Sequence, residues 1–310
     1  MSDLEKEDAD TKRAYQRCKR SYLGFHNIST NQSTFAANKT TLGQMKNTVN
    51  DINNWKSNKI HLYDLRNKLN GFMPNSTQFY LSSNASLSSQ KMFLNKSPTE
   101  RSTYRRCSIV GNGGILKDSG CGDEIDKSDL ILRANLPVIR NFTHDAGRSM
   151  NLTTFNPSII YNRFNYSMSA FSEALEEYEG HILFTSTPNF TVPAMNHIKK
   201  NTSLDLLLLN RDYLGLVRRF WKVEKIVSSG LLLLTMGLPL CEEIHLFGFW
   251  PFNTDIDGNA LPYHYTGDSG FDEVFVCAHN MGWEMQNLLE LHNRGIVKLH
   301  LGKCGHTNGL

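Results

Sequence analysis

Apolar residues from residue 107 onward fall into short continuous runs that alternate with segments of helical spacing. The runs are too short for helices and predict buried strands, which we place at 108–110, 130–132, 181–184, 206–209 and 244–247. Between and after them, apolar positions recur on one face and predict helices at 167–178, 192–200, 213–225 and 284–293. Strands that alternate with helices in this way predict an α/β fold with a mainly parallel sheet.

The first hundred residues show a different pattern. Residues 1–40 are polar, rich in Asn, Ser and Thr, and predict a stem with a short charged helix at 4–22. Apolar residues recur at loosely helical spacing over 42–69, which predicts one or two amphipathic helices packed against the core. The Ser- and Asn-rich segment 74–101 predicts an irregular linker. We therefore expect a stem over 1–40 and one globular domain over 41–310.

The composition indicates the secretory pathway. Asn-x-Ser/Thr sequons are more frequent than the roughly four that chance would give. They begin at Asn27, Asn31, Asn38, Asn75, Asn84, Asn95, Asn141, Asn151, Asn165, Asn189 and Asn201. The six cysteines agree with an oxidising compartment, although the sequence leaves their pairing open. A net charge of +3, without a basic stripe, argues against a nucleic-acid partner.

A glycine-rich turn follows the first predicted strand, and an asparagine follows the second. The turn is 111–114, which contains Asn112, and the second asparagine is Asn135. Ligands of α/β proteins bind at the carboxyl ends of strands, where glycines let the backbone approach closely and amides recognise a base or sugar. Leu116 replaces the third glycine of the dinucleotide fingerprint, which disfavours a nicotinamide-dependent oxidoreductase.

Four blocks, in family order, resemble the sialylmotifs of the animal sialyltransferases, and most closely those of the alpha-2,8-sialyltransferase group. They are the large motif at 107–152, the small motif at 227–251, the third motif at 261–267 and the very short motif at 279–284. The resemblance implies a GT-A-like variant of the Rossmann sheet with flanking helices. It also implies a single sialyltransferase catalytic domain over 41–310.

The resemblance implies a glycosyltransferase that moves sialic acid from CMP-sialic acid, with inversion, to a terminal sialic acid of a glycoprotein or glycolipid glycan. The expected linkage is alpha-2,8, and the expected reaction needs no metal and no cofactor besides the donor substrate. Family members are type II membrane proteins of the Golgi, so we expect the Golgi lumen. No apolar run has the length of a membrane helix, so the anchor of full-length members is expected to be missing from this sequence. The sequence leaves open whether the chain forms a homodimer.

Two histidines are the candidates for proton transfer. The reaction needs a base for the acceptor hydroxyl and stabilisation of the departing phosphate. We assign the base to His279, because imidazole titrates near neutrality, and expect Glu284 to orient or tune its ring. We expect His264 to hydrogen-bond or protonate the departing phosphate oxygen. Without the resemblance, each histidine would more often be a surface, capping or loop residue.

Donor binding is assigned to small and polar residues within the motifs. By resemblance, Asn112 and Asn135 bind the CMP phosphate and ribose region. Ser228, Ser229 and Gly230 are candidates for contacting the donor, because hydroxyl groups and a backbone without a side chain suit a carboxylate or the cytosine edge. Asn156 and Ser158 are candidates for lining the same pocket. His245 lies within an apolar strand and is predicted to be structural.

An Asp-x-Asp sequence at Asp255 and Asp257 resembles the clamp by which many GT-A enzymes hold a nucleotide diphosphate through a metal ion. CMP-sialic acid has a single phosphate, so the electrostatic need for a divalent ion is weaker. We predict that both aspartates belong to a turn before Gly258 and Asn259. No metal site is therefore expected.

The resemblance also implies two disulfides. They join Cys107 to Cys241, linking the large and small motifs, and Cys121 to Cys304, tying the C-terminal segment to the donor side. Cys18 is expected to be a solvent-facing thiol, with an intersubunit disulfide as the alternative. Cys277 is expected to be a buried thiol, with Cys18 as its alternative partner.

Two alternatives concern the reaction itself. Polysialyltransferases carry a strongly basic stretch before the small motif, whereas residues 199–225 are only moderately basic. We therefore favour transfer of one or a few residues, onto O-glycans or gangliosides. The second alternative is a catalytically weak sialoglycan-binding or partner protein of the same fold. It is suggested by Thr266 and Gly267, where the third motif usually has an aromatic residue and an acid.

Overall fold

Seven parallel strands form one sheet in the part of the chain that the computed structural model describes. That part comprises residues 43, 45–48, 51–52, 54–73, 79–80, 103–156, 159–160, 163–185, 188–267 and 279–305. The strands are β1 (Tyr104–Val110), β2 (Leu130–Arg133), β3 (Leu152–Phe155), β4 (His181–Phe184), β5 (Asp205–Leu208), β6 (Cys241–Phe247) and β7 (Lys298–His300). Their order is β5-β4-β3-β2-β1-β6-β7.

Helices connect the strands, as expected for a parallel sheet. They are α1 (Lys59–Phe72), α2 (Gly122–Asp126), α3 (Thr143–Ala146), α4 (Met168–Leu175), α5 (Pro188–Asn201), α6 (Arg211–Phe220), α7 (Ser229–Gly237) and α8 (Met281–Asn293). The predicted α/β fold, a single parallel sheet with flanking helices, is confirmed. No described helix combines the length and the apolar character that crossing a bilayer requires.

The chain reverses its direction of winding at β1. From β1 the strands are added outward to β5, and the chain then returns to place β6 on the opposite side of β1. Cys107 of β1 is therefore paired with Leu130 of β2 on one side and with Ile244 of β6 on the other. Clefts in open α/β sheets form at the carboxyl ends of strands beside such a reversal, which locates the candidate site between β1 and β6.

The sheet and α7 are buried together. All four residues of β2 and all four of β3 are buried, as expected for strands covered on both faces. α7 is buried from Leu231 to Gly237, because four consecutive leucines leave it no polar face. A helix of this composition gains stability only by packing inside the domain, so its first turn is held in a fixed place relative to β1.

The sequence missed some elements and overextended one. β3 was not predicted, because its two threonines interrupt the apolar run, and β7 was not predicted, because its three residues give too short a pattern. The helix predicted over 213–225 ends at Phe220, because Lys222 has a left-handed φ of 56° and Arg218 donates to the carbonyls of Val223 and Glu224. The helix predicted at 4–22 and most of the linker predicted at 74–101 lie outside the described residues.

Both disulfides implied by the resemblance are present. Cys107 is bonded to Cys241 and Cys121 to Cys304, across 134 and 183 residues of chain. The first joins the two strands that flank the reversal, and the second joins the segment after β7 to the residue that precedes α2. Cys18 and Cys277 lie outside the described residues.

Candidate active site

Two loops meet where β1 and β6 end. The Gly111 N–H donates to the Phe247 carbonyl at 2.8 Å, and the Gly113 N–H donates to the Gly248 carbonyl at 2.9 Å. A Cβ atom on either Gly111 or Gly113 would lie 2.6 Å from the Gly248 carbonyl oxygen. The glycines at 111 and 113 are thus required by the close approach of the neighbouring loop.

Asn112 extends from this turn toward the end of β2. Its Nδ2 donates to the Ala134 carbonyl at 2.9 Å, and its own carbonyl accepts from the Tyr265 N–H. The Oδ1 atom is buried and has no hydrogen-bond partner among the described residues. A buried acceptor of this kind is costly unless a ligand satisfies it, and it suits a hydroxyl or amino group better than a phosphate.

Asn135 presents the opposite group. Its Oδ1 accepts from the Ser229 hydroxyl at 3.1 Å and from the Thr154 hydroxyl at 3.2 Å. The side-chain amide nitrogen therefore remains to donate to a ligand, which suits an anionic oxygen. The contact with Ser229 also joins the end of β2 to the start of α7.

The small-motif residues form the N-terminus of α7. Ser228 caps the helix, because its hydroxyl accepts from the Leu231 N–H at 3.0 Å. Gly230 faces the ring of Phe249, whose Cε1 atom would lie 2.5 Å from an added Cβ. A larger residue at position 230 would displace the aromatic ring beside the site.

The third motif packs on the glycine turn. His264 is paired with Gly113 in an isolated antiparallel bridge, and the Gly114 N–H donates to the Tyr263 carbonyl at 3.1 Å. The Tyr265 hydroxyl donates to the Val138 carbonyl at 2.6 Å. These contacts bring His264 next to the loop that carries Asn112.

His279 lies just before α8 and is partly buried. Its Nδ1 is 2.9 Å from the Ile226 carbonyl, two residues before the Ser228 cap. A carbonyl only accepts hydrogen bonds, so Nδ1 carries the proton in the neutral ring and Nε2 is left as an acceptor. Burial lowers the pKa of His279, and Lys225 lowers it further, against the opposing hydrogen bond to Ile226.

Among the described residues, no hydrogen bond or ion pair joins Glu284 to His279, the residue that it was expected to orient or tune. Its Oε2 lies 2.5 Å from the Ser228 hydroxyl, and its Oε1 is buried without a hydrogen-bond partner among the described residues. The first turn of α8 directs the Glu284 side chain inward, whereas His279 precedes the helix and contacts Ile226. Burial raises the pKa of Glu284 to about 7, although the hydrogen bonds from Ser228 act to lower it.

The remaining candidates have different outcomes. Asn156 is exposed directly after β3, at the same edge of the sheet, and Ser158 lies outside the described residues. Asp255 and Asp257 form the predicted turn: one carboxylate oxygen of Asp255 accepts from the backbone of Asp257 and Asn259, and the other accepts from the Asn259 side chain at 2.8 Å. Among the described residues no group of three His, Cys, Asp or Glu could hold a metal ion.

Comparison with known proteins gives the family. Residues 48–296 match the sequence model of glycosyltransferase family 29 (sialyltransferase). The chain belongs to this sialyltransferase family.

The contact between Ser228 and Glu284 was not predicted from the sequence. The two residues are 56 positions apart, and no local spacing indicates such a pair.

Named relatives within the sialyltransferases are similar over most of the chain. "Alpha-2,8-sialyltransferase 8E" of Homo sapiens is 37% identical over 235 residues, which cover 69% of this chain and 60% of that protein. "Alpha-N-acetylneuraminide alpha-2,8-sialyltransferase" of Xenopus laevis is 36% identical over 217 residues, which cover 64% of this chain and 59% of that protein. The chain thus spans about 60% of the length of these relatives.

Among solved structures, a mammalian sialyltransferase is similar at 17% identity, with a TM-score of 0.49. The match covers 87% of this chain and 88% of that chain.

Proposed function

We propose that this chain transfers sialic acid from CMP-sialic acid, with inversion, to a terminal sialic acid of a glycoprotein or glycolipid glycan, in alpha-2,8 linkage. The observation that carries the proposal is the similarity to alpha-2,8-sialyltransferases at 36–37% identity. The moderately basic stretch before the small motif favours transfer of one or a few residues. The expected compartment is the Golgi lumen, which the glycosylation sequons and the two disulfides support.

His279 is the proposed general base. Its Nδ1–H is held by the Ile226 carbonyl, so the Nε2 lone pair can accept the proton of the acceptor hydroxyl. Its lowered pKa keeps the ring neutral at working pH. A base must be unprotonated before the reaction, so this environment supports the assignment.

The donor is proposed to bind along the β1 and β2 ends. Asn112 offers an acceptor for a ribose or cytosine group, and Asn135 offers a donor for an anionic oxygen. The N-terminus of α7 adds backbone N–H groups that attract negative charge. His264, beside the Asn112 loop, is proposed to assist departure of the phosphate.

The reaction is proposed to need no metal ion. The single phosphate of the donor can be neutralised by N–H groups and histidine, which removes the usual reason for a divalent cation in nucleotide-diphosphate enzymes. The Asp255 carboxylate is already occupied by hydrogen bonds within its turn.

A catalytically weak sialoglycan-binding protein is the second candidate. Gly267 has a φ of 71° in the third motif, a conformation that favours glycine over the usual acid. The preceding Thr266 has a buried hydroxyl without a hydrogen-bond partner among the described residues. This candidate predicts donor binding without turnover.

Transfer assays separate the two candidates. We expect the wild-type chain to transfer sialic acid from CMP-sialic acid, in EDTA, to sialylated O-glycan, N-glycan or ganglioside acceptors. His279→Ala should lower the rate by about a hundredfold or more while CMP still binds, because loss of a general base has that cost. The exposed His144→Ala is the control and should retain activity.

Each alternative outcome has a distinct meaning. CMP binding without transfer to any acceptor would favour the binding protein. Loss of transfer in EDTA, restored by a divalent metal, would contradict metal independence. Transfer by His279→Ala at the wild-type rate would exclude His279 as the base.

A further inference from the structure

Glu284 lies at a junction between α8 and the donor side of the site. Its Oε2 accepts a hydrogen bond from the Ser228 hydroxyl at 2.5 Å, and the Ser228 backbone also hydrogen-bonds to the carboxyl group. Ser228 in turn caps α7 through the Leu231 N–H. Glu284 in α8 therefore holds Ser228 in place at the start of α7, although the two residues are far apart in the sequence.

The surroundings of Glu284 favour the neutral carboxylic acid. The residue is 7% exposed, and its Oε1 has no hydrogen-bond partner among the described residues. Tyr263 is the titratable side chain that interacts electrostatically with it, and no described cation does so. An ionised carboxylate that is buried without a cation is costly, and protonation removes that cost. Burial raises its pKa to about 7, in agreement.

The first turn of α7 would attract an anion. The Ser229 and Gly230 N–H groups have no described acceptor, whereas the Leu231 N–H is satisfied by Ser228. N–H groups without an acceptor at the start of a nine-residue helix favour negative charge. An ionised Glu284 next to the cap would repel that anion, and a neutral Glu284 would not.

We propose that Glu284, in its protonated form, is a positioning residue that holds the Ser228 cap. Binding of the anionic CMP group is then coupled to uptake of a proton by Glu284. This inference rests on the proposed function, which supplies the CMP donor. Proton uptake and CMP binding are reciprocal, because a protonated Glu284 favours the anion and the bound anion favours the proton. Raising the pH through 7 should then weaken CMP binding.

Calorimetry of CMP binding measures this coupling directly. Titrations of the wild-type chain from pH 6 to 8, in two buffers of different ionisation enthalpy, should show proton uptake. CMP affinity should fall with pH by up to about tenfold per unit. Glu284→Gln keeps a neutral side chain, so its CMP affinity at pH 6 should stay within about threefold of wild type. The variant should lose the proton uptake that Glu284 contributes, and with it that part of the pH dependence of CMP affinity.

The controls isolate Glu284. The CMP phosphate titrates in both proteins, so the difference between wild type and Glu284→Gln is the relevant quantity. Glu290→Gln alters an exposed acid of the same helix, which pairs with Arg294, and should behave as wild type. Equal proton uptake in wild type and Glu284→Gln would overturn the inference, whereas no CMP binding by wild type would overturn the proposed function itself.

Infrared difference spectroscopy tests the wild-type chain without a variant. CMP binding at pH 7.5 should increase the carbonyl band of a protonated carboxylic acid. Absence of that band, while CMP binds, would overturn the coupling even if Glu284→Gln fails to fold. If Glu284 instead acted on His279, its substitution would change the pH profile of transfer and leave CMP-linked proton uptake unchanged.

Discussion

Asn112 and Asn135 carry the same side chain at the ends of neighbouring strands, yet they present opposite groups. Asn112 uses its nitrogen for the Ala134 carbonyl and leaves an oxygen. Asn135 uses its oxygen for two hydroxyls and leaves a nitrogen. The division gives the site one acceptor and one donor at fixed places, which suits a nucleotide that has both a sugar and a phosphate.

Replacing Asn112 tests the acceptor. Asn112→Ala should weaken CMP binding by about tenfold to a hundredfold, because a buried hydrogen bond is worth about 1–3 kcal/mol when its partner is left unsatisfied. Calorimetry at fixed pH measures the change. Asn210→Ala is the matched control: it removes the cap of α6, should cost about 1 kcal/mol of stability, and should leave CMP affinity intact. Equal affinity in Asn112→Ala and wild type would contradict the assignment.

At this scale the sequence could indicate which residues to consider but not which atoms they offer. The turn at Asp255 and Asp257 was predictable, because Asp, Gly and Asn at close spacing have a local geometry. The Ser228 contact of Glu284 was not, since its partners meet only after the chain has returned across the sheet. The sequence therefore suggested His279, the nearer residue along the chain, as the partner of Glu284.

The loops after β1 and β6 form a second unit of the site, because each excludes a Cβ atom from the other. Gly111 and Gly248 approach so closely that an added Cβ on either would lie 2.5–2.6 Å from a backbone oxygen of its partner. Such distances require backbone movement, which costs more than rotation of a side chain. The spacing of β1 and β6 at their carboxyl ends thus depends on these glycines.

Alanine substitutions compare a constrained glycine with an open one. Gly111→Ala should lower the free energy of unfolding by about 1–3 kcal/mol and weaken CMP binding, because the Asn112 loop must shift. Gly282→Ala, in the first turn of α8, has nothing within 4 Å of its new Cβ and should be neutral or stabilising by up to about 1 kcal/mol. Denaturant titration measures both, and equal stabilities would contradict the packing argument.

Strands with a continuous apolar run were predicted, whereas β3, which lacks such a run, was not. The strand predicted at 181–184 is β4 as found, and the strand predicted at 244–247 is the buried end of β6. β3 contains two threonines in four residues, which gives no apolar run, although both threonines are fully buried. Their hydroxyls bond to the backbone and side chain of the Asn135 region, a partnership that only the folded sheet provides.

Buried histidines connect β6, β7 and α8. His245 bonds to Glu243 and to His300, with Arg106 3.2 Å from its Nδ1. His292 accepts from the Leu299 N–H at 3.0 Å. Burial lowers the pKa of all three histidines, and that of His292 falls to about 4. The structural role predicted for His245 agrees with these contacts.

These histidines predict an acid-sensitive fold. In the unfolded chain they bind protons near pH 6.5, whereas in the folded chain they stay neutral, so stability is fully present above pH 6.5 and is lost as the pH falls. His292→Asn keeps an acceptor for Leu299 and does not titrate. Between pH 6.5 and 4, the free energy of unfolding of this variant should fall by as much as about 3 kcal/mol less than that of wild type.

Thermal unfolding from pH 4 to 8 measures this slope, with the exposed His144→Asn as the control. Glu284 acts in the opposite direction: its raised pKa makes stability fall as the pH rises from about 4.5 to 7. If the stability of His292→Asn and of wild type fell equally steeply below pH 6.5, the role of His292 would be contradicted.

The return of the chain to place β6 beside β1 has a consequence for biosynthesis. While the ribosome is still making residues up to 240, β1 through β5 can associate, but neither the strand that pairs with the other edge of β1 nor Cys241, the disulfide partner of Cys107, has been made. An unpaired edge strand can pair with other chains. The nascent protein is therefore prone to pairing with other chains until Cys241–Phe247 is made, so protection of this edge is a late event in translation.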